Sequence, residues 1–160
     1  MDFTSFFNYD NPDREPESAS PVFLAQLSES GWSKLLGYAQ HRRFAQGDTV
    51  LEAGEQSRDF YIVAKGRLEA IARTDDGKEF LLSAIEEHSI IGEQSFFDGL
   101  PRSATVRALS DGELFRIDAK AVEVMSARDP ALARDVVTDL ARILSLRLRE
   151  MTQRLLRIIR

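Results

Sequence analysis

The chain has 160 residues, 43% of them hydrophobic, which suits one domain with a real core plus extensions and leaves two full domains cramped. It contains no cysteine, which excludes a disulfide framework, a thiolate metal site and a cysteine nucleophile, and no apolar run approaches the roughly 18 residues of a membrane span. The net charge of −5 hides an asymmetry, because residues 131–160 hold seven arginines against Asp135, Asp139 and Glu150.

Residues 1–21 read as an acidic, flexible extension. Five acids stand against Arg14, with Pro12, Pro16 and several serines, and the start lacks the basic stretch of a signal peptide. A cytoplasmic protein is therefore expected. Phe3, Phe6, Phe7 and Tyr9 are denser than a spacer requires and are expected to dock, on this domain in preference to a second subunit or another protein. A second unit spans residues 22–130. Its apolar positions Phe23, Leu24 and Leu27, then Trp32, Leu35, Leu36 and Tyr38, predict two short helices broken at 28–31.

Short strands follow from about Arg43 to Ile117. Gly47-Asp48 and Gly54-Glu55 bracket the β-prone run Thr49-Val50-Leu51, and Phe60-Tyr61-Ile62-Val63 forms a buried run ending near Gly66. Asp75-Asp76-Gly77-Lys78 is a hairpin turn between residues 68–71 and 80–83, and residues 105–108 and 113–117 supply the last pair. Many short strands with glycine turns and few helices between them imply a mainly β sandwich or roll.

One interruption of the strand pattern carries chemistry. After Ile90-Ile91, Gly92 permits a sharp turn and a close approach, Glu93 enters a single helical turn, and Gly99 closes it as a left-handed cap. The amides of such a turn attract an anion. Pro101 then stiffens the return before Arg102, whose planar fork can hold two phosphate oxygens. A carboxylate is acceptor-only, so Glu93 suits a donor such as a ribose hydroxyl. Phosphate beside a free hydroxyl on a compact sugar describes a ribonucleotide.

Helices resume at residues 119–126, break at Asp129-Pro130 and continue to the end, making residues 131–160 a third unit. Val137, Leu144, Met151 and Ile158 fall seven apart, with Ala141, Leu148 and Leu155 between them, which is the repeat of a coiled-coil seam. A homodimer is expected, the alternative being one helix folded along its own barrel. Leu140, Ile143 and Leu146 widen the stripe in the first half, as if that part touched both barrel and partner. The arginines read as a solvated helix face in preference to a nucleic-acid contact. His41 and His88 are the only histidines and no Gly-x-Ser-x-Gly element occurs, so neither a metal site nor an enzyme is expected.

The segment Gly92-Glu93, short helix, Pro101-Arg102-Ser103-Ala104 resembles, without a gap, the phosphate-binding cassette of cyclic nucleotide-binding domains. Residues 44–55 and 60–66 resemble that family's first strands and turns, and the likeness covers roughly residues 22 to 150. It implies a double-stranded β-helix or jelly-roll β-roll flanked by N-terminal helices and a long C-terminal helix acting as lid and dimer seam, the seam formed by Val137, Leu144, Leu148, Met151, Leu155 and Ile158. It also implies that Glu93 binds the ribose 2′-hydroxyl, Arg102 the cyclic phosphate, and the amides of Ser95 and Ser103 complete the cradle with Gly92, Gln94 and Ala104. Leu82, Ser83 and Ile85 would line the base and sugar pocket, and Arg147 or Arg142 could cap the base, a solvated arginine being the alternative for each. No cofactor is implied beyond the ligand, cyclic AMP in preference to cyclic GMP. In the catabolite-activator type the chain would continue into a DNA-binding domain near this chain's end, so the output is expected to pass to a partner protein. The alternatives are a scaffold whose cassette binds nothing and a nucleic-acid accessory using the arginine-rich helix.

Overall fold

The computed structural model describes residues 21–160, so the expectations for the aromatic tail lie outside the described residues. Among the described residues, eight strands form two four-stranded antiparallel sheets. The first runs β1 (Gln40–Phe44), β8 (Gly112–Ile117), β3 (Phe60–Lys65), β6 (Ile90–Ile91), and the second β2 (Thr49–Leu51), β7 (Thr105–Ala108), β4 (Leu68–Arg73), β5 (Glu79–Ile85). This is the β-roll expected from the spacing of the strands and turns.

Strand β3, inside the first sheet, is covered on both faces, which is why it reads as a continuous apolar run and not as an alternation. Phe60, Ile62 and Ala64 point to the helices, meeting Trp32, Leu35, Met125 and Leu140. Val63, offset by one residue, points between the sheets to join Leu51, Leu68, Ile85, Val106 and Leu114. The second sheet has one wet face and so alternates. Its outward residues pair across strands, with Arg107 on Glu69 at 2.6 Å, Arg107 on Glu79 at 3.4 Å and Arg73 on Glu79 at 2.7 Å.

Helix α1 spans Glu29–Leu36, capped by the Ser28 side chain accepting from the Gly31 amide. Residues 28–31, expected as a break between two helices, are thus a cap and first turn. The preceding segment is not helical. Leu24 sits in the left-handed region at φ 52°, the Phe23 amide donates to the His88 carbonyl at 2.7 Å, and the Leu24 amide donates to Asp139 Oδ2 at 2.6 Å. A stretch this short nucleates poorly as a helix, and distant partners take its amides instead.

Helix α2 is the single turn Glu93–Asp98, closed by Gly99 in the left-handed conformation. α3 covers Ala119–Arg128 and α4 runs from Pro130 to Ile159, with Pro130 in the first turn where its missing N–H costs nothing. Leu132, Ala133, Val136, Leu140 and Ile143 bury one stripe of α4 on the barrel. The heptad residues lie one position off that stripe. Val137 and Leu144 are half-buried, while Leu148, Met151, Leu155 and Ile158 are exposed, so the helix leaves its own core after Ile143.

Candidate functional site

A cavity of about 310 Å³ opens between the second sheet and the start of α2, roofed by α4. All ten residues of the expected ligand site border it: Gly92, Glu93, Gln94, Ser95, Arg102, Ser103 and Ala104 from the cassette, and Leu82, Ser83 and Ile85 from β5. Leu51, Ala70, Ile91 and Val106 add apolar wall. Its size falls at the lower end of the range usual for small-ligand sites, roughly 300–1,000 Å³.

Arg102 is 4% exposed, and among the described residues no carboxylate pairs with it. Its Nη1 donates to the Gly92 carbonyl at 3.0 Å, and its Nη2 to the Asp59 carbonyl at 2.7 Å and Ser57 Oγ at 3.2 Å. Its Nε is buried with no hydrogen-bond partner. Carbonyls and a hydroxyl orient the fork without neutralising it, leaving a buried cation beside the cavity. That is the electrostatic request for an anion.

The loop between β2 and β3 holds this arrangement from below. The Gly54 amide donates to the Arg102 carbonyl at 2.8 Å, and the Arg102 amide to the Glu55 carbonyl at 2.9 Å. Gln56 Nε2 donates to the Gly99 carbonyl at 2.9 Å, and Arg58 Nη2 to the Phe96 carbonyl at 2.8 Å, securing the carbonyl end of α2. Asp59 is itself fixed by Arg116, whose Nε donates to Oδ2 at 2.6 Å; that bond holds the guanidinium above its ordinary pKa. Tyr61 alongside is pushed up chiefly by burial and then by the Asp59 charge, so its phenol stays protonated at neutral pH.

Glu93 is 5% exposed and has a partner from 54 residues away: Arg147 Nη1 donates to its Oε1 at 2.5 Å. Arg147 Nη2 also donates to the Ile90 carbonyl at 2.7 Å and Ser89 Oγ at 3.3 Å. Arg147 therefore ties α4 to the Glu93 end of the cassette. Arg142, the other candidate cap, does not border the cavity. Asp139 takes its Nε at 2.6 Å and the Val22 carbonyl its Nη2 at 2.5 Å, because the i,i+3 pairing turns it toward the N-terminal segment. Ser103 Oγ donates to Gln94 Oε1, joining the two ends of the cassette. Glu150 and Met151 also border the cavity and carry no sequence signal beyond the helical repeat, as their approach depends on how α4 crosses the barrel.

Comparison with known proteins agrees with this geometry. The family model described as "Cyclic nucleotide-binding domain" matches residues 41–129. The chain belongs to the cyclic nucleotide-binding domain family. This cyclic nucleotide-binding domain is 27% identical over 108 residues to the cAMP-activated global transcriptional regulator CRP of Pasteurella multocida, covering 67% of this chain and 52% of that protein. It is 33% identical over 117 residues to lysophospholipase NTE1 of Cryptococcus neoformans, covering 69% of this chain and 7% of the relative. The domain thus spans about half or less of the length of these relatives. Among solved structures, a cyclic nucleotide-binding domain from Methylobacillus flagellatus superposes with a TM-score of 0.77 at 21% identity, covering 97% of this chain and 81% of the other. The catabolite activator protein of Thermus thermophilus superposes with a TM-score of 0.70 at 28% identity, covering 81% and 59%.

Proposed function

We propose that this domain is a receptor for a 3′,5′-cyclic purine nucleotide, cyclic AMP in preference to cyclic GMP, and that it is a sensor and not an enzyme. The observation that carries the proposal is the buried Arg102, which borders the cavity and has no carboxylate partner among the described residues. A cyclic phosphodiester supplies the single negative charge that this group lacks, and the ribose 2′-hydroxyl a donor for Glu93. Two curated relatives, from Pasteurella multocida and Mycobacterium tuberculosis, are named for activation by cAMP, which favours that nucleotide. The Ser103 hydroxyl, which a syn guanine would approach through its amino group, is already bound to Gln94.

Glu93 tests the sugar assignment. Wild type should bind 2′-deoxy cyclic AMP about tenfold or more weaker than cyclic AMP, the scale of one hydrogen bond to a charged group. In Glu93→Ala the two ligands should bind alike. A deoxy penalty of the same size in both proteins refutes the role.

Signalling follows from the contact between Arg147 and Glu93. A 2′-hydroxyl shares the carboxylate that ties α4 to the cassette, so ligand contacts bias the position of that helix, a population shift set by differential contacts. A second copy docks along the exposed half of α4, and an effector protein reads the helix position. Leu148 and Leu155 are 68% and 57% exposed, and charges there should cost the barrel little. Leu148→Glu with Leu155→Glu should convert a dimer to a monomer in analytical ultracentrifugation while leaving the melting temperature of the barrel close to wild type. A monomeric wild type contradicts the seam.

A further inference from the structure

The N-terminal segment grips the first half of α4. Arg142 Nη2 donates to the Val22 carbonyl at 2.5 Å, Asp139 Oδ2 accepts the Leu24 amide at 2.6 Å, and Ala25 to Ser28 border the same groove as Asp135 and Thr138. The chain therefore enters the described fold against α4, at the level of Arg142. From there one stripe continues along the helix: Arg142, Leu146, Arg149, Gln153, Leu156 and Arg160, alternately four and three residues apart. At about 100° per residue it faces away from Leu144, Leu148, Met151 and Leu155, so a dimer seam on those residues leaves it open. Leu146 and Leu156 are exposed, as are Arg149, Gln153 and Arg160. Among the described residues the arginines of α4 that form ion pairs are Arg134, Arg142, Arg147 and Arg154; Arg149, Arg160 and the flanking Arg157 have no carboxylate. The one acid after Arg142 is Glu150, which borders the cavity and not the stripe.

A face of unpaired arginines and bare leucines suits a cover that is both acidic and apolar. Residues 1–20 have that composition: Asp2, Asp10, Asp13, Glu15 and Glu17 stand against Arg14, beside Phe3, Phe6, Phe7 and Tyr9. Reach is no obstacle, since Arg142 to Arg160 is about 27 Å of helix and this length of chain spans up to about 66 Å. The segment is also joined to the fold beside the head of the stripe. A tether of this kind supplies an effective concentration of about millimolar, which a separate acidic partner would have to exceed.

We propose that residues 1–20 dock on this stripe of their own chain's α4, acids on Arg149, Arg157 and Arg160 and aromatic rings on Leu146 and Leu156. Exposed ion pairs are weak singly, so the rings and the tether supply the hold and the charges fix the place. The chain has no cysteine, so two introduced ones report cleanly. Asn8→Cys with Gln153→Cys, spin-labelled and diluted in excess unlabelled protein, gives the intrachain distance by double electron-electron resonance, with a melting curve for each variant. A single narrow distance is expected. Arg149→Glu with Arg157→Glu and Arg160→Glu should abolish it. Asp10→Lys, Asp13→Lys, Glu15→Lys and Glu17→Lys together, all outside the described fold, should abolish it as well, and the two sets combined should restore it. A broad distribution in the undisturbed chain overturns the proposal. So does a narrow distance that survives reversal of the arginines, which puts the segment on another face, or one that vanishes on dilution, which assigns it to a second copy. None of these outcomes bears on what the cavity binds.

Discussion

Arg102→Ala should lower the affinity for cyclic AMP by about two orders of magnitude in titration calorimetry. The fork supplies hydrogen bonds between charged partners, each worth about 1.5–3 kcal/mol, and every 1.4 kcal/mol is about a factor of ten in Kd. Burial raises the stakes, because at 4% exposure water cannot substitute for the lost donors. Arg102→Lys should recover only part of the loss, since a point charge cannot span two phosphate oxygens in the plane of a guanidinium. Stability will fall too, as the carbonyls of Gly92 and Asp59 lose a donor. Affinity must therefore be compared on protein shown to be folded by its melting curve. Wild-type affinity in folded Arg102→Ala would place the phosphate elsewhere.

Gly92→Ala should be the most damaging single methyl group in the cassette. Gly92 has φ 83°, and a Cβ there would lie 2.7 Å from Arg102 Nη1 and 2.8 Å from the Asp59 carbonyl oxygen. The left-handed backbone alone costs an L-residue roughly 1–2 kcal/mol, and overpacking typically adds about 1–3 kcal/mol. The carbonyl is backbone and Arg102 is pinned by three acceptors, so neither neighbour can yield cheaply. Gly77, in the β4–β5 turn, is the control: φ is 83° and nothing lies within 4 Å of its Cβ position. Gly77→Ala should show the backbone cost alone in urea denaturation, with nucleotide affinity kept. Gly92→Ala should be less stable than Gly77→Ala and should also bind weakly. Equal effects of the two substitutions would mean that close packing at Gly92 does not shape the site.

Most of the cassette was legible because its chemistry is local. Gly92 to Ala104 is one contiguous stretch, and a glycine, an acid, a capped helical turn and an arginine in that order already imply an anion beside a hydroxyl. Strand positions were legible in outline because glycine turns set the boundaries of β2, β3 and the β4–β5 hairpin. What stayed hidden depends on how distant elements meet. Arg147 and Arg142 are both arginines on α4, five positions apart, and only the crossing of α4 over β6 and α2 sends one to Glu93 and leaves the other with Asp139. The same crossing brings Glu150 and Met151 over the cavity. Ser57, Arg58 and the Asp59 carbonyl support Arg102 and α2 through long-range bonds, whereas in sequence their loop shows only a turn. Residues 22–27 look helical by spacing, yet bonds to His88 and Asp139 fix them in another form.

The same crossing gives Glu93 two claimants. A buried ion pair is costly to break from one side, because the remaining charge is left without a partner. That makes the pairing of Arg147 with Glu93 a contact that ligand can rebalance but that thermal motion alone opens rarely. It lies where α4 passes from barrel packing to its exposed half, so a shift there is transmitted along that half of the helix.

The most direct measurement is calorimetric titration of the wild-type chain with cyclic AMP, with 5′-AMP as the ring-opened control. Saturable binding of one cyclic AMP per chain, with 5′-AMP markedly weaker, is the expected result. Folded protein that shows no saturable binding of cyclic AMP up to about 1 mM, a free energy of only about 4 kcal/mol, would contradict the assignment of Arg102 and Glu93 to a cyclic nucleotide.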